Sequence, residues 1–341
     1  KYKSIFLCLL IIYNMGNNSY IERKKNGNSF IFIKNGQKIT DKNLLEKCKS
    51  IYIAPAYTNV KIYLGEKLLA TGYDKAGRKQ YIYSTEMKNL REKKKLKQLK
   101  KIGVHIDRLH RTINNDLSQK EMTKTKLVAL ILKIMEMCNF RNGSKVYEKK
   151  YGSYGITTIH KKHLTFKNNG VQIKFIGKKG VENNCTICDK RVNDLLKEVY
   201  QMSSRDNNYL FSIKNRANEF IQVHKEDVNQ YLARFDITSK DLRTWNANII
   251  FLRNFRKQLK SINSRYNNKT NRQKMLIRKK MIKEAIVKTA EELHNTPAVC
   301  KSSYIYKNIV KYLENCSGNI KKIFDDNENI ENNLKRFLNS I

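Results

Sequence analysis

The hydrophobic pattern of the chain changes its period near residue 90, and this change limits the fold more than any other feature. Between residues 18 and 90, apolar and polar residues alternate in short runs such as SFIFIKNGQKIT and SIYIAPAYTNVKIYLG. A period of two is typical of half-buried β-strands, and the Asn-Gly and Lys-Ala-Gly steps between runs are turn signals. The sequence therefore predicts a small β-rich N-terminal domain over residues 15–90.

Beyond residue 103 the pattern becomes mainly helical. The run MTKTKLVALILKIMEMCNF (122–140) has the dense apolar content of a buried helix, whereas residues 155–189 alternate around an Asn-Asn-Gly turn and predict a β-meander. Further helices are predicted over 190–201, 214–222, 225–234, 239–261, 272–294 and 301–314. The predicted fold class is α+β, with a mainly α-helical domain over residues 104–341 that carries a small β-hairpin or meander.

Two segments fall outside these domains. Residues 91–103, which begin with REKKKLKQLKK, are either a solvated helix or a basic linker, and we assign them as the linker. The apolar run at 5–13 is shorter than the roughly 20 residues that cross a bilayer, although it could be the core of a signal peptide. Because the first methionine is Met15, we expect residues 1–14 to be a leader upstream of the native start.

The charge of the chain indicates its class of partner. Lys and Arg number 69 against 30 Asp and Glu, which gives a formal net charge of +39. Such a surplus repels itself unless a polyanion binds, so nucleic acid is the predicted partner. A ribosomal-type protein, or an AT-rich coding sequence, would give a similar composition. The chain has no Walker or dinucleotide-binding motif, and no nucleotide cofactor or membrane partner is predicted.

Cysteine and histidine residues give no metal site in this sequence. The seven cysteines are odd in number and scattered, so we expect reduced thiols packed as small hydrophobic groups. Cys185 and Cys188 form a C-x2-C pair that we expect on a strand, but no second pair of ligands follows, as a zinc site would require. His160 and His163 likewise lack further ligands and are interpreted as solvated.

The stretch HNTPAVCKSSYIY (294–306) contains Pro297, one of only two prolines, and Tyr304 shortly after it. If the partner is DNA, the Tyr304 hydroxyl is a candidate nucleophile for a phosphodiester. Its attack requires donors that stabilise the growing charge on the phosphate, and the planar guanidinium group of arginine does this best. A lysine can give a proton to the leaving 5′ oxygen. This chemistry demands no metal ion.

Five segments identify candidates for these roles by resemblance to a known family. They are KDLRTW (240–245), NTPAVCKSSYI (295–305), YGSYGITTI (151–159), FIGKKGVE (175–182) and GRKQYIY (77–83). They resemble the signature segments of the small type IB DNA topoisomerases of poxviruses, giant viruses and bacteria, and they occur in the family's order. The resemblance implies an enzyme that relaxes supercoiled duplex DNA through a 3′-phosphotyrosyl intermediate, without ATP or metal. It also implies the catalytic fold that this family shares with tyrosine recombinases.

The resemblance also implies roles for individual residues. The implied catalytic residues are Tyr304 as nucleophile, Arg141 and Arg243 as the two arginines, Lys178 as general acid and Asn295 as phosphate donor. Lys179 is the reserve for the general acid. Poxviral members have His at the position of Asn295, whereas bacterial-type members have Asn, so His294 is the alternative donor here.

The same resemblance implies contacts with DNA outside the catalytic set. In the β-rich domain these are Arg78 and Lys79 to phosphate and Gln80, Tyr81 and Tyr83 to base edges or backbone. At a period of two, the two tyrosines share one face of a strand. An aromatic pair packed on the sheet is the alternative for them. In the helical domain Lys240, one turn before Arg243, is expected to contact DNA, or else to be a solvated lysine at a helix start.

The implied assembly is a monomer that closes as a clamp around double-stranded DNA. If the source is a large DNA virus, we expect it in the virion, the viral factory or the nucleus of the infected cell. A tyrosine recombinase is the nearest alternative, but it usually has His-x-x-Arg around the second arginine, where this chain has Lys240. The other alternative is a noncatalytic basic DNA-binding protein.

Overall fold

A computed structural model of the chain describes residues 20–65, 67–203, 209–215, 217–315, 324 and 328–341, without the side chains of 263–265 and 267. The expected leader, residues 1–14, and the expected start at Met15 lie outside the described residues. The chain divides into two compact units between Lys93 and Lys94. The α+β class predicted from the sequence is confirmed.

The N-terminal unit is built on an antiparallel sheet. The strands described there are β1 (Ile21–Asn26), β2 (Ser29–Lys34), β3 (Gln37–Lys38), β4 (Thr58–Ile62), β5 (Leu68–Tyr73) and β6 (Lys79–Tyr83). Their order is β3-β2-β1-β4-β5-β6. The Asn35-Gly36 step joins β2 to β3 with both residues at positive φ, as the predicted Asn-Gly turn requires. Helix α1 (Lys42–Ser50) adds Cys48 to the core of this unit.

A long helix, α2 (Thr85–Leu117), contains the whole segment that the sequence assigns to a basic linker. Within that segment Leu99 and Ile102 are fully buried, and Ile106 and Leu109 continue the same face in the core of the C-terminal unit. These residues follow one another at intervals of three and four, which places them on one side of a helix. The many lysines between them conceal this stripe in the composition of the segment.

The C-terminal unit is mainly helical, as predicted. Its other helices in the described residues are α3 (Lys124–Cys138), α4 (Lys145–Tyr151), α5 (Lys190–Met202), α6 (Lys225–Ala233), α7 (Ser239–Asn267), α8 (Asn271–Glu292), α9 (Pro297–Ser303), α10 (Lys307–Asn315) and α11 (Ile330–Asn339). Strands β7 (Leu164–Lys167), β8 (Gly170–Ile176) and β9 (Glu182–Ile187) pair in sequence order as the predicted meander. None of the described helices combines the length and the apolar content needed to cross a lipid bilayer.

Helix α3 is the central element of this unit. The Thr123 hydroxyl caps its start by accepting a hydrogen bond from the Lys126 N–H at 3.1 Å. Leu127, Leu130 and their apolar neighbours are fully buried, which confirms the predicted buried helix. The helix ends with Asn139 in the left-handed region at φ 54°. The chain therefore turns sharply just before Arg141.

Two helices predicted from the sequence are wrong. The described part of 214–222 belongs to a hairpin of β10 (Ser212–Lys214) and β11 (Phe220–Gln222), because Asn218 takes a positive φ of 63° in the turn between the two strands. The helix predicted over 301–314 is interrupted: α9 stops at Ser303, and α10 starts at Lys307. The interruption contains Tyr304.

The cysteine prediction is wrong for one pair, because Cys138 and Cys185 form a disulfide. They lie 47 residues apart in sequence, and they meet because the end of α3 packs against β9. The C-x2-C pair is divided, since Cys185 lies on β9 whereas Cys188 lies beyond the end of that strand. Cys48, Cys188 and Cys300 are the free thiols of the described residues.

The solvated environment predicted for His160 and His163 is also wrong. The Nε2 atom of His160 lies 2.9 Å from a carboxylate oxygen of Glu148, whose other oxygen accepts a hydrogen bond from the Tyr209 hydroxyl at 2.9 Å. The His163 ring packs against Tyr154. Burial, and to a smaller extent the nearby His160 and Lys162, lower the pKa of His163 to about 4. At neutral pH this histidine is therefore uncharged.

Removal of the disulfide should destabilise the C-terminal unit. For Cys138→Ala combined with Cys185→Ala, we expect the free energy of unfolding to fall by about 2–4 kcal/mol, because the cross-link restricts the unfolded chain. Denaturant titration without reductant measures this, and addition of reductant to the wild type should give a similar loss. Cys188→Ala is the control, since this exposed thiol is free. A double variant as stable as the wild type would contradict the prediction.

Candidate active site

Tyr304 lies at the break between helices α9 and α10. Thr296 caps α9, Pro297 begins it, and Tyr304 is its C-cap residue. Only 9% of Tyr304 is exposed. The tyrosine is therefore held in the core of the unit rather than presented on a solvated helix.

Asn248, on helix α7, holds this break together. Its side-chain Nδ2 donates to the carbonyl oxygen of Tyr304 at 3.1 Å, and its Oδ1 accepts from the backbone N–H of Tyr306 at 2.9 Å. The side chain is completely buried. It satisfies two backbone groups that the helix break would otherwise leave unpaired. The sequence prediction missed Asn248; its only signal was a polar residue within the apolar stretch of α7.

Arg141 and Asn295 meet at the Tyr304 hydroxyl. The Nη2 atom of Arg141 lies 3.5 Å from that hydroxyl oxygen and also donates a hydrogen bond to Oδ1 of Asn295. The Nδ2 atom of Asn295 is buried and has no hydrogen-bond partner among the described residues. A buried amide donor without a partner is costly in a folded protein, so this group is available for an acceptor that arrives with a ligand.

Arg243 reaches the same place from helix α7. Its Nη1 donates to the carbonyl oxygen of Asn139 and its Nη2 to that of Leu293. The guanidinium carbon lies 5.2 Å from the centroid of the Tyr304 ring. Burial, and to a smaller extent the positive charge of Arg141, lower the pKa of Arg243 to about 10. The group remains protonated at neutral pH.

Lys178 does not join this cluster. It begins a short 3-10 turn, Lys178–Gly180, that links β8 to β9. The side chain is exposed and makes no hydrogen bond or ion pair with the described residues. Lys179, the reserve candidate, takes a positive φ of 67° in the same turn and is exposed as well. The structure thus brings four of the five predicted catalytic residues together and leaves the lysine on a hairpin tip.

His294, the alternative donor, is turned away from the phosphate-donor position. Its ring packs against Phe140, with 5.7 Å between ring centroids. Lys240 lies in the first turn of α7 with an exposed side chain.

In the N-terminal unit, the predicted DNA contacts cluster around β6. Arg78 donates from Nε to Oδ2 of Asp74 at 2.9 Å, and Gln80 donates from Nε2 to the same oxygen at 2.9 Å. The rings of Tyr81 and Tyr83 stack with 6.4 Å between centroids, so they share one face as predicted. The Lys79 ammonium lies 5.6 Å from the Tyr81 ring.

Comparison with known proteins decides the family. Residues 84–334 match the family described as eukaryotic DNA topoisomerase I, catalytic core. The chain belongs to this DNA topoisomerase I family. The resemblance to type IB DNA topoisomerases that the five segments indicate is therefore confirmed, and so is the assignment of the chain to this class of isomerases.

Viral relatives match along most of the chain. DNA topoisomerase 1B of Acanthamoeba polyphaga mimivirus is 29% identical over 303 residues, which cover 86% of this chain and 88% of the relative. DNA topoisomerase 1 of rabbit fibroma virus is 28% identical over 260 residues, 76% of each chain. DNA topoisomerase 1B of vaccinia virus (strain Copenhagen) is 25% identical over 302 residues, 83% of this chain and 90% of the relative.

The charges around Tyr304 alter the pKa of its hydroxyl. Burial raises the pKa of Tyr304, but the positive charges of Arg243 and Arg141, together with their hydrogen bonds, lower it by more. The net result is a pKa below the ordinary tyrosine value of 10.0. The two arginines therefore favour the phenolate, which is the nucleophilic form.

Arg141→Met should raise the pKa of Tyr304. The phenolate loses a cation and a hydrogen-bond donor, while the burial that disfavours it remains. Titration followed by the ring Cζ resonance of ¹³C-labelled tyrosine measures the shift, with Tyr304→Phe used to assign the signal. Arg191→Met is the control, because Arg191 bonds to Asn114 and Ser118. A pKa that stays constant or falls in Arg141→Met would show that this arginine does not act on the phenol.

Proposed function

We propose that the chain relaxes supercoiled DNA by transient cleavage of one strand, with Tyr304 as the nucleophile. The observation that supports this proposal most strongly is the group of hydrogen-bond donors around the Tyr304 hydroxyl. Two buried or part-buried guanidinium groups, of Arg141 and Arg243, stand beside it, and neither pairs with a carboxylate in the described residues. Adjacent cations without counter-ions repel each other, and a phosphate between them would neutralise both.

The positions of these side chains support the following order of steps for cleavage and resealing of the strand. The Tyr304 oxygen attacks the phosphorus of the scissile phosphodiester and forms a 3′-phosphotyrosyl bond while the bond to the 5′ oxygen breaks. Arg141 and Arg243 donate to the nonbridging oxygens, and the unpaired Nδ2 of Asn295 supplies a neutral donor to one of them. The free strand then swivels, and its 5′-hydroxyl attacks the phosphotyrosine in reverse. One phosphodiester is exchanged for another, so no ATP is consumed.

Lys178 completes the reaction in this proposal by protonating the departing 5′ oxygen. Its exposed, unpaired ammonium is the form a general acid needs, but the proton transfer requires hydrogen-bond distance. The β8–β9 hairpin must therefore bring Lys178 to the scissile phosphate when DNA is bound. Contacts in an unliganded site are often longer than in the reacting complex.

We assign DNA contacts outside the site to cationic, polar and aromatic side chains that are exposed or half-buried. In the N-terminal unit, Arg78 and Gln80 would exchange Asp74 for phosphate, while Lys79 and the Tyr81–Tyr83 pair offer a further cation and a stacking face. Lys240, exposed at the start of α7, would contact the backbone near the scissile phosphate.

The more specific expectations from the sequence belong to the same proposal. The helical domain takes the catalytic fold shared with tyrosine recombinases, and residues 15–90 and 104–341 form the two halves of a monomeric clamp around duplex DNA. No metal or nucleotide takes part. The enzyme acts in the virion, viral factory or nucleus of an infected cell if its source is a large DNA virus.

Plasmid relaxation tests the function. We expect wild-type protein to relax both positively and negatively supercoiled plasmid in EDTA without ATP, and Tyr304→Phe to relax neither, because it lacks the nucleophilic oxygen. Tyr306→Phe is the matched control, a buried tyrosine two residues away whose hydroxyl accepts from Asn308. Relaxation by Tyr304→Phe at the wild-type rate would contradict the proposal. Exchange of strands between two duplexes would favour a recombinase, and binding without any cleavage would favour a noncatalytic protein.

A sulfur-substituted substrate tests Lys178. Lys178→Ala should cleave ordinary DNA more slowly by about 10²-fold or more, because the 5′ alkoxide leaves unprotonated. When sulfur replaces the bridging 5′ oxygen, cleavage should return towards the wild-type rate, since a thiolate leaves without a proton. Lys179→Ala is the control and should lose little on either substrate. Loss and rescue in Lys179→Ala instead would transfer the role to that residue, and a Lys178→Ala variant without rescue would contradict general-acid catalysis.

A further inference from the structure

Three aromatic rings meet behind the site, and each lies close in sequence to a predicted catalytic residue. Phe140 precedes Arg141, Phe175 lies three residues before Lys178, and His294 precedes Asn295. The Phe140 ring is the centre of the group: its centroid lies 4.8 Å from that of Phe175 and 5.7 Å from that of His294. Phe140 is 1% exposed.

The backbone at His294 closes the end of helix α8. After the C-cap Leu293, the N–H of His294 donates to the carbonyl of Glu291 at 2.9 Å, and the N–H of Asn295 donates to that of Ala290 at 2.8 Å. These two bonds define a Schellman turn, in which the residue at the His294 position is left-handed. His294 has a φ of 49°. The turn fixes the backbone from which the Asn295 side chain extends.

A histidine is unusual at this position of the turn. Glycine occupies it most often, because a Cβ atom disfavours positive φ. The contact of the ring compensates: it stacks on Phe140 with 29° between the planes. Phe140 follows the end of helix α3 and directly precedes Arg141. The side chain thus joins the two turns that present Arg141 and Asn295.

We propose that His294 is a positioning residue: by stacking on Phe140, it holds the turn that carries Asn295 in register with the segment that carries Arg141. This inference rests on the proposed function for its effect on the reaction rate. The ring itself does not touch the phosphate. It acts through Asn295, whose Oδ1 accepts from Arg141 and whose Nδ2 is left for the substrate.

Two substitutions distinguish the effect of the His294 ring from the effect of its backbone conformation. His294→Gly keeps the positive φ without strain but removes the ring, whereas His294→Phe restores the stacking without a ring N–H. We expect single-turnover cleavage of a short duplex to fall by about tenfold in His294→Gly, because small displacements of donors reduce the rate strongly. DNA affinity should stay at the wild-type level, and His294→Phe should recover most of the rate.

Asn218→Gly is the matched control for the glycine substitution. Asn218 also has a positive φ, 63°, in the β10–β11 turn. Glycine at this position therefore relieves the same kind of backbone strain, and the stacking of His294 on Phe140 is left intact. Its cleavage rate should equal that of the wild type. Full activity of His294→Gly would overturn the proposal, as would a loss that appears in DNA affinity and leaves the cleavage step unchanged.

A double-mutant cycle and a spectroscopic readout complete the test. His294→Gly already removes the contact between the two rings. Phe140→Leu should therefore slow cleavage by a smaller factor in the His294→Gly protein than in the wild type. In ¹⁵N spectra of the unliganded protein, the Asn295 side-chain amide should shift in His294→Gly, return in His294→Phe and stay unchanged in Asn218→Gly. An unshifted Asn295 amide would overturn the positioning role. Because this readout needs no DNA cleavage, it tests the inference even if wild-type protein forms no covalent adduct and the proposed function fails.

Discussion

The Arg243 guanidinium joins two helix ends, and the arrangement of the site depends on this junction. The last carbonyl groups of a helix have no partner within the helix and carry its negative partial charge. Arg243 donates to the carbonyl of Asn139, after α3, and to that of Leu293, after α8. The next residues along these two segments include Arg141 and Asn295. Arg243, which is 6% exposed, therefore has carbonyl partners for both of its Nη atoms, and it joins the segments that carry Arg141 and Asn295, the residues proposed to bind the phosphate.

The proposed nucleophile, Tyr304, lies on a backbone segment that is held by the same helix that carries this arginine. Asn248, on α7, binds the backbone on both sides of the break at Tyr304, so the backbone that carries the phenol cannot shift without the loss of two buried hydrogen bonds. Lys178 is held differently, on an exposed hairpin turn. In the proposed mechanism, Tyr304, Arg141, Arg243 and Asn295 are thus preorganised for the charge that develops on the phosphate, while the proposed proton donor remains outside the cluster. Preorganised donors stabilise a transition state without reorganisation at the moment of reaction.

Local patterns in the sequence predict the elements that depend on neighbouring residues. They do not predict features that depend on contacts between residues far apart in the chain. Helix α3 was predictable because its apolar content and its Thr123 cap agree. The break at Tyr304 was not, because apolar residues at helical spacing continue across it and the partner of the break, Asn248, is 56 residues away. The Cys138–Cys185 disulfide depends in the same way on the packing of α3 against β9. The candidate catalytic residues came from a resemblance in five segments, since spacing alone does not distinguish among 69 basic residues.

The position of the covalent bond is the most direct test of this account. Wild-type protein would react with a duplex whose cleaved 5′ fragment is short enough to diffuse away, and the trapped adduct would be digested and mapped by mass spectrometry. The account predicts one modified residue, Tyr304, joined to the 3′ phosphate of the DNA, with a 5′-hydroxyl on the released strand. An adduct on another residue, or a linkage to a 5′ phosphate, would contradict it.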